Sequence, residues 1–188
     1  MDVNLAIRWA WMGVAAVWAA RWMATKRTAR AEPAGSRVGH LATMAVAFGL
    51  LFSPAMRQGP LGWRVIPLGE GWEAAALLVT VAGLGVAVWA RFALGGNWSA
   101  VVELKEGHAL VRRGPYRAVR HPIYAGLLLA MAGTAMGCGE VGAALGVAVA
   151  FAGWMAKARL EESFLLAQFP EAYGEYRQRV RTLIPFVL

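Results

Sequence analysis

The chain has 188 residues, of which 59% are hydrophobic and only 16% charged, with a formal net charge of +8. Soluble domains run nearer to about 45–50% apolar and about 25% charged, so this composition excludes an ordinary soluble fold of the same length. The basic residues fall between long apolar stretches, which assigns them to anionic lipid headgroups and membrane topology. No nucleic-acid-binding module is visible, and no nucleic acid is expected as a partner. Cys138 is the only cysteine, and His40, His108 and His121 are the only histidines. An intrachain disulfide is therefore impossible, and no metal site is expected.

A spanning helix needs about 20 mostly apolar residues to cross a hydrocarbon layer of about 30 Å. The first predicted span is Val3–Met23, with Arg8 and Arg21 near its ends and Trp9, Trp11, Trp18 and Trp22 as interfacial anchors. It lacks a basic leader and an A-x-A cleavage pattern, so it reads as a retained span and not a signal peptide. The second, Val38–Met56, carries His40 and ends near Ser53-Pro54. The third, Ala74–Ala90, is bounded by Glu73 and Arg91. Residues 91–122, rich in Gly, Pro and charge, read as a soluble loop. Ile123–Gly139 and Val141–Ala156 then form two short spans separated only by Glu140, which requires a tight antiparallel hairpin. Gly126, Gly133, Gly137, Gly142 and Gly146 would let those two helices approach closely. Gly83-Leu84-Gly85 lies inside the third span and lacks the third glycine of a dinucleotide fingerprint.

In the tail, residues 157–188, an apolar stripe of Leu160, Phe164, Leu165 and Phe169 is interrupted at Pro170 and resumed by Tyr173, Tyr176 and Val180, until Pro185 stops it. Two amphipathic pieces follow from that pattern, lying against the membrane or capping the loop. The fold class is thus an all-α integral membrane protein of about five transmembrane helices, with residues 1–90 as N-terminal spans and 91–188 as the working region. Five spans put the termini on opposite sides. With the N-terminus outside, all of the 19 lysines and arginines except Arg8, Arg57 and Arg64 fall inside. The glycosylation sequon Asn97-Trp98-Ser99 also falls inside on this topology, which removes it as an acceptor.

The chemistry-bearing residues concentrate on that inner side. Gly114-Pro115 signals a turn, and Pro122 suits the first helical position of the fourth span. His121 would then stand at a helix entrance, where free N–H groups and the dipole favour an anion, with Arg117 and Arg120 alongside. Spacing alone leaves two readings open: an anion site, or a basic topological anchor with a capping histidine. Where the last span leaves the membrane, Lys157-Ala158-Arg159-Leu160-Glu161-Glu162 reads as a solvated helix surface with i,i+4 support between Lys157 and Glu161. The same group, facing the basic loop from the membrane edge, could instead hold a zwitterionic cofactor.

The run His108-Ala109-Leu110-Val111, Gly114-Pro115-Tyr116 and Arg120-His121-Pro122-Ile123-Tyr124, followed by the hairpin and Glu161-Glu162, resembles the isoprenylcysteine carboxyl methyltransferase family. Leu94-Gly95-Gly96-Asn97-Trp98-Ser99 before the loop is similar to that family too, as is Phe169-Pro170-Glu171-Ala172-Tyr173-Gly174-Glu175-Tyr176 with Ile184-Pro185 after it. The resemblance covers residues 90–188, roughly the C-terminal half. It implies a membrane-embedded methyltransferase that uses S-adenosyl-L-methionine without a Rossmann domain. Carried over residue by residue, it implies cofactor contacts from His108, Ala109, Leu110, Val111, Tyr116, His121, Pro122, Ile123, Tyr124 and one of Glu161 or Glu162. The family's eukaryotic members place a substrate-contacting arginine four residues before that glutamate. Here Lys157 holds that place relative to Glu161, with Arg159 two residues on, so Lys157 and Arg159 are the substrate-binding candidates.

The implied reaction is an in-line displacement at a methyl group already activated by positive sulfur. A carboxylate or thiolate nucleophile needs no general base, and no catalytic residue is assigned; alignment and exclusion of water would supply the rate. Tyr116 and Tyr124 would offer ring faces to the adenine or the sulfonium. The expected partners are the lipid bilayer and a lipophilic methyl acceptor, most directly an isoprenylcysteine-type carboxylate. A phospholipid amine or a small thiol is the alternative acceptor. The other classes open are an NADPH-dependent membrane reductase and a non-catalytic membrane protein. Composition rich in Ala, Gly and Arg points to a bacterial inner membrane, with the C-terminus cytoplasmic.

Overall fold

The computed structural model describes residues 2–22, 28–31, 34–67, 69–95, 103–105 and 110–184. Six helices follow in chain order: α1 (Val3–Trp22), α2 (Ala34–Phe52), α3 (Glu70–Leu94), α4 (Pro122–Cys138), α5 (Val141–Gln168) and α6 (Pro170–Arg179). Beside them lies a short antiparallel ribbon, β1 (Thr28–Ala31) with β2 (Glu103–Lys105), in which Arg30 faces Leu104 and Ala31 faces Glu103. No alternation in the sequence announced this ribbon. Among the described residues, α1, α2, α3 and α5 are long and apolar enough to cross a membrane, and α4 is apolar over 17 residues. The protein is an integral membrane protein built of helices.

The helix limits differ from the predicted ones for local reasons. α2 stops at Phe52 because Pro54 bars the helical conformation just before it, and a 3₁₀ turn, Pro54–Met56, follows. α3 runs past both of its predicted charged borders. Glu70 and Glu73 sit in its first turn and Arg91 in its last, the arrangement that the helix dipole favours. Gly95, at φ +59°, ends it. α5 is one continuous helix of 28 residues, about 42 Å at the standard rise, which outlasts a layer of about 30 Å. The surplus of about 12 Å, roughly two turns, is enough to bring Glu161 and Glu162 past the layer, with Lys157 one turn nearer to it. Pro170 begins α6 on a new axis, since proline fits a first turn but not a helix interior.

The small residues do not serve the hairpin as expected. A Cβ at Gly126 would lie 2.6 Å from the Ala87 nitrogen, and one at Gly83 2.4 Å from the Ala130 nitrogen. One at Gly133 would lie 2.5 Å from the Thr80 nitrogen. These glycines bring α3 and α4 into backbone contact. Gly146, whose Cβ would meet the Ala47 carbonyl at 2.8 Å, does the same for α5 against α2, and Gly142 meets the linker after α2. Between α4 and α5 the filling is large instead: Met131 and Trp154 are buried in one cluster with Ala135, Ala143 and Ala150. At the turn between the two hairpin helices Gly139 takes φ +67°. Thr80 and Thr134 donate to carbonyls four residues back, at 2.8 and 2.9 Å, and the Trp11 indole donates to Thr134 at 3.0 Å.

Candidate functional site

Gly114, at φ +60°, opens the 3₁₀ turn Gly114–Arg117, and only a residue free of a Cβ penalty takes that conformation readily. The turn lowers Tyr116 into a cluster with Ala90 of α3 and Ile123 of α4, against which Val111 also packs. The chain then rises to His121, which stands at the N-terminus of α4 with Pro122 in the first turn and no side-chain cap. The predicted helix entrance is therefore where the sequence placed it. The tail is stitched to it: the Arg120 amide donates to the Arg181 carbonyl at 2.7 Å, and the His121 amide to the Thr182 carbonyl at 3.0 Å. Of the two roles open for the tail, capping the loop is the one observed.

Glu161 and Glu162 reach this entrance from the projecting turns of α5. His121 places Nδ1 3.3 Å from Glu161 Oε2 and Nε2 3.2 Å from Glu162 Oε1. Burial alone would strip the proton from this ring. The hydrogen bonds to Glu161 and Glu162 outweigh burial and hold the His121 pKa above its ordinary value. The two carboxylates therefore favour the protonated ring, in which each nitrogen carries a hydrogen toward one of them.

The two carboxylates differ in what else they touch. Glu162, buried, accepts from Arg120 Nε at 2.8 Å and lies 3.6 Å from Arg177 Nε. Glu161 is 24% exposed and accepts from the Tyr124 hydroxyl at 2.5 Å. Tyr124 stacks on His121, with centroids 5.6 Å apart, and on Trp154, at 5.9 Å. This column of parallel rings runs from the helix entrance toward the membrane interior.

The arginines fare otherwise than spacing suggested. Arg120 is engaged on every side: beyond Glu162, it donates to the carbonyls of Arg177 and Val180 and to Thr182 Oγ1 at 2.8 Å. It anchors the tail with four of its five N–H donors committed, while Arg117 is exposed. Lys157 and Glu162 are buried, so this stretch of α5 is not a solvated surface; Lys157 lies within electrostatic reach of Glu161. Arg159 points outward and does not join the group. Ile123 and Pro122 are buried beneath it, and Leu110 and Val111 are half-buried at its edge. His108 and Ala109 lie outside the described residues, as does Asn97-Trp98-Ser99.

Four contributors were missed in the sequence: Trp154, Arg177, Tyr176 and Thr182. Tyr176 donates to the Tyr116 carbonyl at 2.5 Å, under the Arg112 guanidinium 5.6 Å above its ring. Burial, set against nearby arginines, pushes its hydroxyl up to about 12, so it stays a donor. The spacing of Tyr173 and Tyr176 was a usable signal, because it matched an apolar stripe. Trp154 gave none, since its place beside Tyr124 depends on the hairpin register.

Residues 72–172 match the phospholipid methyltransferase family model. The chain is 28% identical to protein-S-isoprenylcysteine O-methyltransferase B of Arabidopsis thaliana, over 73% of this chain and 66% of that protein. It is 36% identical to the human protein-S-isoprenylcysteine O-methyltransferase, over 59% of this chain and 40% of that one. The chain thus spans less than two thirds of these relatives' length. A solved structure of the eukaryotic intramembrane Ras methyltransferase, isoprenylcysteine carboxyl methyltransferase, shares the fold with a TM-score of 0.51. That match is 27% identical and covers 83% of this chain and 54% of the other. The matched region contains the uncapped entrance of α4, the acid pair of α5 and the start of α6, and on it the chain belongs to the phospholipid methyltransferase family.

Proposed function

We propose that this protein transfers a methyl group from S-adenosyl-L-methionine to a lipophilic, membrane-associated acceptor, most directly a carboxylate of the isoprenylcysteine type. The observation that carries the proposal is His121, held between Glu161 and Glu162 at the uncapped entrance of α4. Residues 91–188 are the region assigned to this work, with residues 1–90 as supporting spans.

The donor set fits the cofactor. The first-turn amides of α4 suit its carboxylate, at the positive end of the helix dipole. Glu161, the more exposed acid, suits its amino group or ribose hydroxyls. Glu162 is the supporting acid, since Arg120 and His121 already hold it. Tyr116 and Val111 pack in the cluster beside this entrance, and His108 and Ala109 belong to the cofactor's wall by resemblance. When bound, the cofactor supplies a methyl group on positive sulfur. The chain's own residues orient it, exclude water and hold the acceptor in line, for which up to about 7–11 kcal/mol of barrier lowering is available in favourable cases.

The protonation state of the site favours the acceptor class. An amine must lose a proton to become a nucleophile, whereas a carboxylate does not. His121 is engaged by both acids, and Glu162 is paired with Arg120 as well, so among the described residues of the site none is left as an unengaged base. Lys157, one turn before Glu161, is the cation best placed for the acceptor's carboxylate, and Arg159 is the more remote candidate. The apolar part of the acceptor would lie along the bilayer, beside the Tyr124 and Trp154 rings. On this reading the protein sits in a bacterial inner membrane, N-terminus outside and C-terminus cytoplasmic.

The test is transfer of labelled methyl from S-adenosyl-L-methionine by the purified protein. It would be offered an S-farnesylated cysteine analogue, phosphatidylethanolamine or a small thiol. The expected product is base-labile and releases labelled methanol, as a methyl ester does. A base-stable product from the phospholipid would move the acceptor to an amine.

A further inference from the structure

The end of the bundle opposite His121 holds a polar cavity of about 200 Å³. It opens among the start of α1, the last turn of α2, the α4–α5 turn and the linker joining α2 to α3. Its walls are built, not incidental. The amides of Val65 and Ile66 donate to the Gly139 carbonyl at 2.8 and 3.2 Å, and the Val141 amide donates to Trp63 at 3.0 Å. A Cβ on Gly139 would lie 2.7 Å from the Ile66 carbonyl, so glycine lets the linker close over the turn.

Charge in this cavity is unbalanced. Arg57 is buried and donates to the Leu50 and Leu51 carbonyls at 2.9 and 2.7 Å and to Glu140 at 2.5 Å. It finishes the carbonyl end of α2 and neutralises the one acid in the lining. Arg64 stands 3.9 Å from the other oxygen of Glu140, half-exposed. Arg8, exposed, makes no hydrogen bond or ion pair among the described residues. The lining thus holds three guanidiniums against one carboxylate, and the surplus positive charge sits on Arg8 and Arg64. Behind them Ile7, Leu51 and Phe52 line an apolar side. A polyatomic anion in the cavity satisfies the two guanidiniums, and an attached alkyl chain satisfies the apolar side.

We propose that this cavity is a binding site for a phosphate-bearing anion held by Arg8 and Arg64, remote from the His121 group. The phosphate can come from the headgroup of an anionic membrane lipid or from free phosphate, and the apolar lining favours the lipid. Native mass spectrometry of the intact protein, titrated with phosphatidylglycerol, phosphatidylcholine or inorganic phosphate, separates the sources. The protein should bind one phosphatidylglycerol saturably, and the R8Q/R64Q double variant should lose at least tenfold in affinity. The charge-matched R113Q/R179Q variant, on exposed arginines at the other end, should keep it. Retention of inorganic phosphate alone, abolished by R8Q/R64Q, would support the site and make free phosphate its ligand. Equal phosphatidylglycerol binding by the two double variants, or no binding by any form, would overturn the proposal.

Discussion

Glu161 and Glu162 are adjacent in sequence, yet helical geometry turns them about 100° apart and gives them different work. Removing Glu162 leaves the buried Arg120 guanidinium without its carboxylate. Glu162→Ala should therefore cost about 3–5 kcal/mol, the usual penalty for breaking a buried ion pair, and lower the melting temperature sharply. Glu161→Gln keeps a hydrogen-bond acceptor for Tyr124 and should melt close to the wild type while losing cofactor affinity. Thermal melting of the two variants with and without S-adenosyl-L-methionine checks both statements. His121 adds a pH dependence whose sign is fixed. Its folded pKa is raised, so the folded state holds a proton that the unfolded chain releases above about pH 6.5. Its contribution is fully present below that pH and is lost as pH rises through the raised folded value. Melting temperature should accordingly fall as pH is taken from 6 into the alkaline range, and the slope should shrink in His121→Phe.

Among the elements, the α3–α4 pair is the most exacting, because backbone meets backbone at Gly83, Gly126 and Gly133. Gly126→Ala places a methyl 2.6 Å from the Ala87 nitrogen, and neither helix can yield locally. The helices must part, at about 1–3 kcal/mol or more, and α4 carries the His121 entrance with it. Chemical denaturation in detergent should show the loss, whereas Gly85→Ala, which meets nothing within 4 Å, should not. The glycines were legible as close-packing residues, but their partner was not. Hairpin connectivity suggested α5, and only the bulk of Met131 and Trp154 between α4 and α5 redirects them to α3 and α2. The entrance itself was legible, since Gly114-Pro115 and Pro122 are local signals whose meaning does not depend on tertiary contacts. The role of Arg120 was not, because its partners, Glu162, Arg177, Val180 and Thr182, come from 42 to 62 residues away.

For the whole molecule, composition and apolar length sufficed to place the chain in a membrane and to find α1 to α4 to within about a turn, whereas α5 runs about three turns past its predicted end at Ala156 and absorbs the first piece of the tail. The His121 group and the arginine-rich tail lie at one end of the bundle, and Arg57 and Arg64 at the other, so the proposed cytoplasmic placement of the site makes a labelling prediction. In a Cys138→Ala background, an impermeant maleimide should label Gln58→Cys from outside intact cells and Gln178→Cys only after permeabilisation. The reverse pattern would place the candidate site on the wrong side for a cytoplasmic cofactor.

The central claim is that His121, Glu161 and the entrance of α4 hold S-adenosyl-L-methionine. Isothermal titration of the purified protein with that cofactor, in detergent and in nanodiscs, tests it most directly. The account predicts saturable binding at one site per chain, weakened at least tenfold by Glu161→Gln, with no heat from NADPH. Absence of binding in both media, or preference for NADPH, would contradict it.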